Sequence, residues 1–319
     1  MNMISAEQIA QNLPWTELID KLEETFRLGV NAPTRHHHTV SRPDGDATML
    51  LMPAWQETGY IGMKMLNVFP QNSAKGLAAI SGLYLLSNGE DGQMLACMHG
   101  NELTRRRTAA ASALASRYLS KPDASTLVII GTGQVAPMLI EAHATTRPIK
   151  RVMIWGRNIH KAQELATSYQ GYQSPFGALQ QVVATDDLAF ACANADIISS
   201  ATLSDKPIIL GEWLKPGVHL DLVGAFRKDM CEADANAVAK SQVYVDTYAG
   251  AYGEAGDLHQ ASQLGTFDMD NICADLAELC RQKQSARNKG DAITLFKSVG
   301  ASLEDLAAAI VVWENIAAK

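Results

Sequence analysis

Thr126-Leu127-Val128-Ile129-Ile130-Gly131-Thr132-Gly133-Gln134-Val135-Ala136 is the stretch on which the reading of the fold turns. Its apolar run enters glycine without a polar break, the pattern of a strand covered on both faces. The G-x-G-x-x-A spacing that follows suits a strand-to-helix turn. Gly131 allows the tight bend, Gly133 lets backbone approach a pyrophosphate, and Ala136 permits close packing of helix on sheet. A bare glycine turn would show the same letters. The context favours a dinucleotide site, because a helical pattern runs from Gln134 to Ala144 and a second strand, Arg151–Trp155, ends about 20 residues on. Thr132, Gln134 and Val135 join the two glycines as candidate cofactor-binding residues.

The end of that second strand reads Trp155-Gly156-Arg157-Asn158. An acidic side chain there would bond a ribose 2′-hydroxyl, whereas the planar fork of Arg157 suits a 2′-phosphate. Arg157 and Asn158 are therefore candidate contacts, and NADPH is expected in preference to NADH. A solvated surface arginine is the alternative. Further strands are expected at Val182–Ala184, Asp196–Ser200, Val218–Val223 and Gln242–Val245, with helices at Ile159–Tyr169 and Leu188–Asn194. Thr202 and Val223, at the ends of two of these strands, complete the candidate set in this half. The alternation points to a doubly wound parallel sheet.

The first 120 or so residues read differently. A helical pattern from Ser5 to Leu28 is broken by Pro14. Strand-like runs follow at Thr48–Met52, Tyr60–Leu66, Ser81–Leu86 and Gln93–Met98, then a helix from Glu102 to Leu119. The chain closes on an apolar helical pattern, Ser302–Ala318, with Ser302 and Asp305 spaced as a capping box. The expected architecture is a Rossmann-type α/β domain at 123–293, inserted into a discontinuous α+β domain of 1–122 plus 294–319.

Composition narrows the function. Of 319 residues, 47% are hydrophobic and 19% charged, with a net charge of −7. This is globular and lacks the basic footprint of a nucleic-acid binder. No apolar run reaches the ~18 residues of a membrane span, and the N-terminus does not read as a signal peptide. The five scattered cysteines show no CxxC spacing, which suits a reducing cytoplasm.

Three cations stand in unusual surroundings. Lys64 interrupts the apolar strand run Tyr60–Leu66, so it needs either an anionic partner or a route to the surface. Among Arg105, Arg106 and Arg107, helical spacing puts Arg107 on the stripe of Leu103, Ala110, Ala111 and Leu114. Arg35 precedes His36, His37 and His38, which alternate sides on a strand and so do not form a metal site.

Taken in order, Pro33-Thr34-Arg35, Gly62-Met63-Lys64, Leu103-Thr104-Arg105-Arg106-Arg107, Gly131-Thr132-Gly133, Gly224-Ala225, Gly256-Asp257-Leu258 and Phe296-Lys297-Ser298-Val299-Gly300 resemble the ornithine cyclodeaminase/μ-crystallin family. Glu304-Asp305 continues the likeness. It runs over nearly the whole chain and implies a Rossmann domain set into a substrate and dimerisation domain, with a homodimer as the assembly. It also implies that Arg35, Lys64 and Arg107 hold the carboxylate of a small imino or amino acid, and that Ser298 to Gly300 lie near the nicotinamide. Cyclodeaminases of the family carry a proton-transferring aspartate where this chain has Phe226, and a pocket threonine where it has Ala79, with Ser81 two residues on. These departures disfavour deamination. The resemblance then implies NAD(P)H-dependent reduction of a cyclic ketimine carboxylate, Δ1-pyrroline-2-carboxylate or Δ1-piperideine-2-carboxylate, with no proton donor assigned. The alternatives are an ornithine cyclodeaminase, an alanine or N-alkyl amino-acid dehydrogenase, and a non-catalytic NADPH-dependent binding protein.

Overall fold

The computed structural model describes residues 1–282, 287 and 290–319, so six positions of the expected 123–293 domain lie outside the described residues. The chain forms two compact units, Met1–Arg107 with Ala301–Lys319, and Thr108–Gly300.

In the first unit, six strands form one sheet in the order Asn2–Ile4, Met94–His99, Ile80–Asn88, Tyr60–Val68, Ala47–Trp55 and His36–Val40. The pairs are antiparallel except the parallel pair at the Asn2–Ile4 edge. Pro14 lacks the amide needed to continue a helix. The N-terminal helical pattern accordingly divides into Ala6–Asn12 and Trp15–Leu28. Leu18, Ile19, Leu22 and Phe26 form the buried stripe of the second helix. The helix Ser302–Ala317 lies on the central strands, and its Leu306, Ala307, Ile310 and Val312 are buried.

In the second unit, eight parallel strands are ordered Gln181–Ala184, Arg151–Trp155, Thr126–Ile130, Ile197–Ser200, His219–Leu222, Thr294–Lys297, Gln242–Val245 and Ala274–Asp275. In chain order, the first strand of this sheet, Thr126–Ile130, lies between its second and its fourth, so the strand order reverses beside it. Such a reversal opens a crevice at the carboxyl ends of the strands. Val128, Ile130, Ile198, Leu220, Leu222, Val243, Val245 and Leu295 fill the core. Burial of each contributes roughly 1.5–3 kcal/mol.

The division differs from the expected 122/123 and 293/294 boundaries. Thr294–Lys297 pairs with both His219–Leu222 and Gln242–Val245 inside the parallel sheet. Its short run, ended by a lysine, hides a strand buried on both faces. At the other boundary, the end of the helix Gly100–Leu119 is tied to the second unit by Arg147, whose guanidinium donates to the carbonyls of Ser116, Arg117 and Ser120.

Candidate active site

The first unit gathers two of the expected cations around one carboxylate. Met52 is in register with Lys64, Lys64 with Tyr84, and Tyr84 with Met98. All four therefore project from the same face of the sheet, and all are buried. An ammonium in such a row requires a counter-charge. Lys64 Nζ donates to Asp305 Oδ1 at 2.9 Å and Oδ2 at 3.0 Å. Arg107, turned inward, donates from Nε to Asp305 Oδ1 at 3.2 Å and from Nη1 to Glu304 at 2.5 Å. Burial pulls the Lys64 ammonium down to about 8, against the opposing influence of Asp305. The buried Tyr84 hydroxyl has no hydrogen-bond partner among the described residues, and burial pushes its pKa up. A Cβ on Gly62 would collide with that hydroxyl.

Asp305 thus does not close a capping box. The helix Ser302–Ala317 has Ala301 at its N-cap and no side-chain cap. The carboxylate goes to the buried ammonium instead, because leaving that charge unpaired would cost more than an open helix end.

The other candidates in this unit lie on the helix Gly100–Leu119 and on or beside the strands His36–Val40 and Ile80–Asn88. Arg105 and Arg106 share Glu102, at 2.5 and 2.8 Å, and Arg106 lies 5.4 Å from the Trp15 ring centroid. Arg35 is half-buried just before the strand His36–Val40, and His36 to His38 are exposed on that edge strand. Ser81 is exposed and in register with Asn67, three residues from Lys64 along its strand. With alternating side chains it projects from the sheet face opposite Lys64, so Ser81 does not join the cation group.

In the second unit the glycine turn follows Thr126–Ile130 at the reversal point. Gly131 has φ +111°, and a Cβ there would meet the Ala201 carbonyl at 2.7 Å. At Gly133 a Cβ would meet nothing within 4 Å, which leaves the open approach a pyrophosphate needs. Thr132 packs against Gly156, where a Cβ would meet Thr132 Cγ2 at 2.7 Å. Gln134 and Val135 lead into the helix Ala136–Thr146, whose amino end faces this turn. The residues present fit a dinucleotide.

Arg157 is exposed at the end of Arg151–Trp155. Asn158 is a helix N-cap, accepting from His160 N at 3.0 Å and Lys161 N at 3.3 Å, so its side-chain oxygen is committed to the fold. Beside them Trp155, Asp186, Asp187, Leu188, Ile208 and Trp213 line an open pocket of about 620 Å³. Val223 N donates to Ser200 O at 2.8 Å, and Thr202 is held by Glu232. Ser298 is buried, and Gly300 has φ +85°. Asp246 gathers this segment, accepting from Val299 N at 2.7 Å, Gly300 N at 2.6 Å and Ser298 Oγ at 3.3 Å.

Sequence reasoning gave no role to Glu232, Asp246, Asp257 or Lys297, all fully buried. A charged residue at the carboxyl end of an apolar run, as at Asp246 and Lys297, was the available signal. Phe226 is 37% exposed two residues beyond Gly224. Among the described residues no group of three or more His, Cys, Asp or Glu side chains could hold a metal, and no helix is long and apolar enough to cross a membrane.

An eight-stranded parallel sheet with a glycine turn at its reversal point defines a Rossmann-type dinucleotide-binding protein. The chain belongs to the ornithine cyclodeaminase/mu-crystallin family, which it matches over residues 1–319. A Delta(1)-pyrroline-2-carboxylate reductase of Colwellia psychrerythraea is 35% identical, over 99% of this chain and 100% of its own. The Thermococcus litoralis Delta(1)-pyrroline-2-carboxylate reductase in complex with NADH and L-proline superposes with a TM-score of 0.89, at 27% identity, covering 100% of this chain and 98% of that one. An archaeal alanine dehydrogenase dimer with bound NAD gives a TM-score of 0.88 at 26% identity, covering 100% and 96%.

Proposed function

We propose that the protein reduces a cyclic ketimine carboxylate, Δ1-pyrroline-2-carboxylate to L-proline and with it Δ1-piperideine-2-carboxylate to L-pipecolate. The observation that carries this reading is Phe226, an apolar side chain two residues beyond Gly224. Removal and return of an amine need a proton-transferring group, and phenylalanine has none. Reduction of an imine needs none at carbon, because a protonated C=N bond is already electrophilic there. The full-length likeness to reductases acting on this substrate supports the same reading.

When bound, the nicotinamide supplies a hydride to the imine carbon. The chain's own residues bind and orient. Arg107 and Lys64, joined by Arg35, hold the substrate carboxylate, and Asp305 and Glu304 fix the direction in which the two buried cations point. The turn of Gly131, Thr132, Gly133, Gln134 and Val135 binds the pyrophosphate, with Thr202, Val223, Ser298 and Gly300 completing the site. Arg157 takes a 2′-phosphate, which makes NADPH the preferred donor and NADH the weaker one. The ring nitrogen takes its proton from solvent.

The first unit serves as substrate and dimerisation domain. Its sheet face opposite Lys64 supports that role. Two in-register rows there, Leu51–Met65–Leu83 and Pro53–Met63–Leu85, are apolar and half-exposed. A second copy of the chain covering this face gives a homodimer. Five free cysteines, four of them buried, suit a cytoplasmic protein.

The test is NADPH oxidation with Δ1-pyrroline-2-carboxylate, run beside ornithine with NAD. Imine-dependent oxidation supports the reductase. Ammonia release from ornithine without imine reduction would overturn it.

A further inference from the structure

Glu232 is wholly enclosed, yet its carboxylate accepts four hydrogen bonds. Oε1 takes Ser200 Oγ at 2.6 Å, Thr202 N at 2.7 Å and Thr202 Oγ1 at 2.9 Å. Oε2 takes Gly224 N at 2.6 Å. Ser200 ends the strand Ile197–Ser200, Thr202 lies in the loop leaving it, and Gly224 lies in the loop leaving the adjacent strand His219–Leu222. One buried side chain therefore joins two loops at the carboxyl edge of the sheet.

The fit is close on every side. A Cβ on Gly224 would collide with the Thr202 carbonyl and come within 2.5 Å of the Glu232 carboxylate. The Thr202 loop in turn bounds the fingerprint turn, since a Cβ on Gly131 would meet Ala201 O at 2.7 Å and Thr202 Cγ2 at 3.3 Å. Glu232 is itself fixed from behind. Its amide donates to Asp257 Oδ1 at 2.6 Å, and Asp257 Oδ2 lies 3.1 Å from Lys297 Nζ. Lys297 directly precedes Ser298 to Gly300. The contacts run without a gap from the glycine turn, through Thr202 and Glu232, to the strand end that carries Ser298.

We infer that Glu232 is a positioning residue for the cofactor: its carboxylate sets the spacing of the Thr202 and Gly224 loops, and through them the affinity for the dinucleotide. It need touch neither substrate nor the reacting atoms. A carboxylate can satisfy donors arriving from both loops at once. An amide of the same shape cannot, because its NH2 group must face one of the donors and push that loop away.

This inference rests on the dinucleotide reading of the second unit and not on the identity of the imine. The test is Glu232→Gln, with NADPH binding followed directly by calorimetric titration and turnover assayed beside it. The expected result is a Kd for NADPH raised tenfold or more and a KM for NADPH raised in parallel. The kcat at saturating NADPH and the KM for the imine stay within about twofold. A side chain that only supports the fold would instead lower the melting temperature and the active fraction, leaving the Kd of the folded protein unchanged, and that outcome overturns the inference.

Gly224→Ala keeps Glu232 and splays the same two loops, so it should raise the Kd similarly. It carries the test alone if the first variant does not accumulate folded. An unchanged Kd in Gly224→Ala overturns the inference as well. Wild-type protein that binds NADPH but reduces no imine would sink the reductase reading and leave the Kd comparison valid. Wild-type protein that binds neither NADPH nor NADH would sink both.

Discussion

The Lys64 ammonium and the Asp305 carboxylate meet at 2.9 Å with 2% and 0% of their side chains exposed, 241 residues apart in the chain. A pair so enclosed adds little to stability relative to apolar residues of equal size, but breaking it leaves a charge without solvent or partner.

Asp305→Asn should therefore destabilise the protein by about 3–5 kcal/mol in urea unfolding, while Lys64→Met combined with Asp305→Leu should recover most of that loss. A single-variant change below about 1 kcal/mol would show that water reaches the pair.

Arg107→Ala should lower kcat/KM for the imine by about 2–5 kcal/mol of transition-state stabilisation, while the Kd for NADPH changes little. Steady-state kinetics checks the first and direct titration the second. Equal losses in both would mean that Arg107 acts only through the fold.

Arg157 is exposed, so a smaller effect is expected there. Arg157→Ala should weaken NADPH by about tenfold, some 1.4 kcal/mol, and leave NADH unchanged. The ratio of kcat/KM for the two donors reads this. A wild-type enzyme that favours NADH would remove the role assigned to Arg157.

Acid should destabilise the second unit through His219. Burial pulls this imidazole down from 6.5 to about 3, with Asp221 opposing and His143, Arg287 and Arg147 reinforcing the shift. Between those values the unfolded chain binds a proton that the folded chain does not, so stability rises with pH across this window. The contribution is complete above pH 6.5 and is lost as pH falls towards 3, on the order of 5 kcal/mol in all. His219→Asn should flatten the acid limb of a stability-against-pH curve, and an unaltered limb would exclude the assignment.

Met65→Glu places a charge in the apolar row Leu51–Met65–Leu83. Light scattering should give twice the 34.4 kDa chain mass for the wild type and the single mass for the variant. A wild-type monomer would contradict the dimer.

The strands Thr126–Ile130 and Arg151–Trp155 were legible to the residue because a covered parallel strand leaves an unbroken apolar run. Thr294–Lys297 was not, since threonine and lysine occupy two of its four positions and their buried partners come from distant segments. The helices Tyr248–Glu254 and Gly256–Gln263 were also missed, their glycines and polar residues obscuring the period. The inward turn of Arg107 followed from helical spacing. Asp305 was misread for the opposite reason. Spacing along a helix is local and visible, whereas a partner on a strand near the other end of the chain is not. Ser81 came from resemblance alone, and strand alternation separates it from Lys64.

The first unit is assembled from both ends of the chain, whereas the second is one continuous segment. On a ribosome adding about 5–20 residues per second, the stretch between Arg107 and Asp305 takes roughly 10–40 s to make. For that time Lys64 and Arg107 exist without their carboxylates. The order of maturation is thus inverted: the portion synthesised first is the last able to close. A released chain truncated before residue 301 would carry a complete middle and an unfinished beginning, its six-stranded sheet uncovered where the helix Ser302–Ala317 belongs.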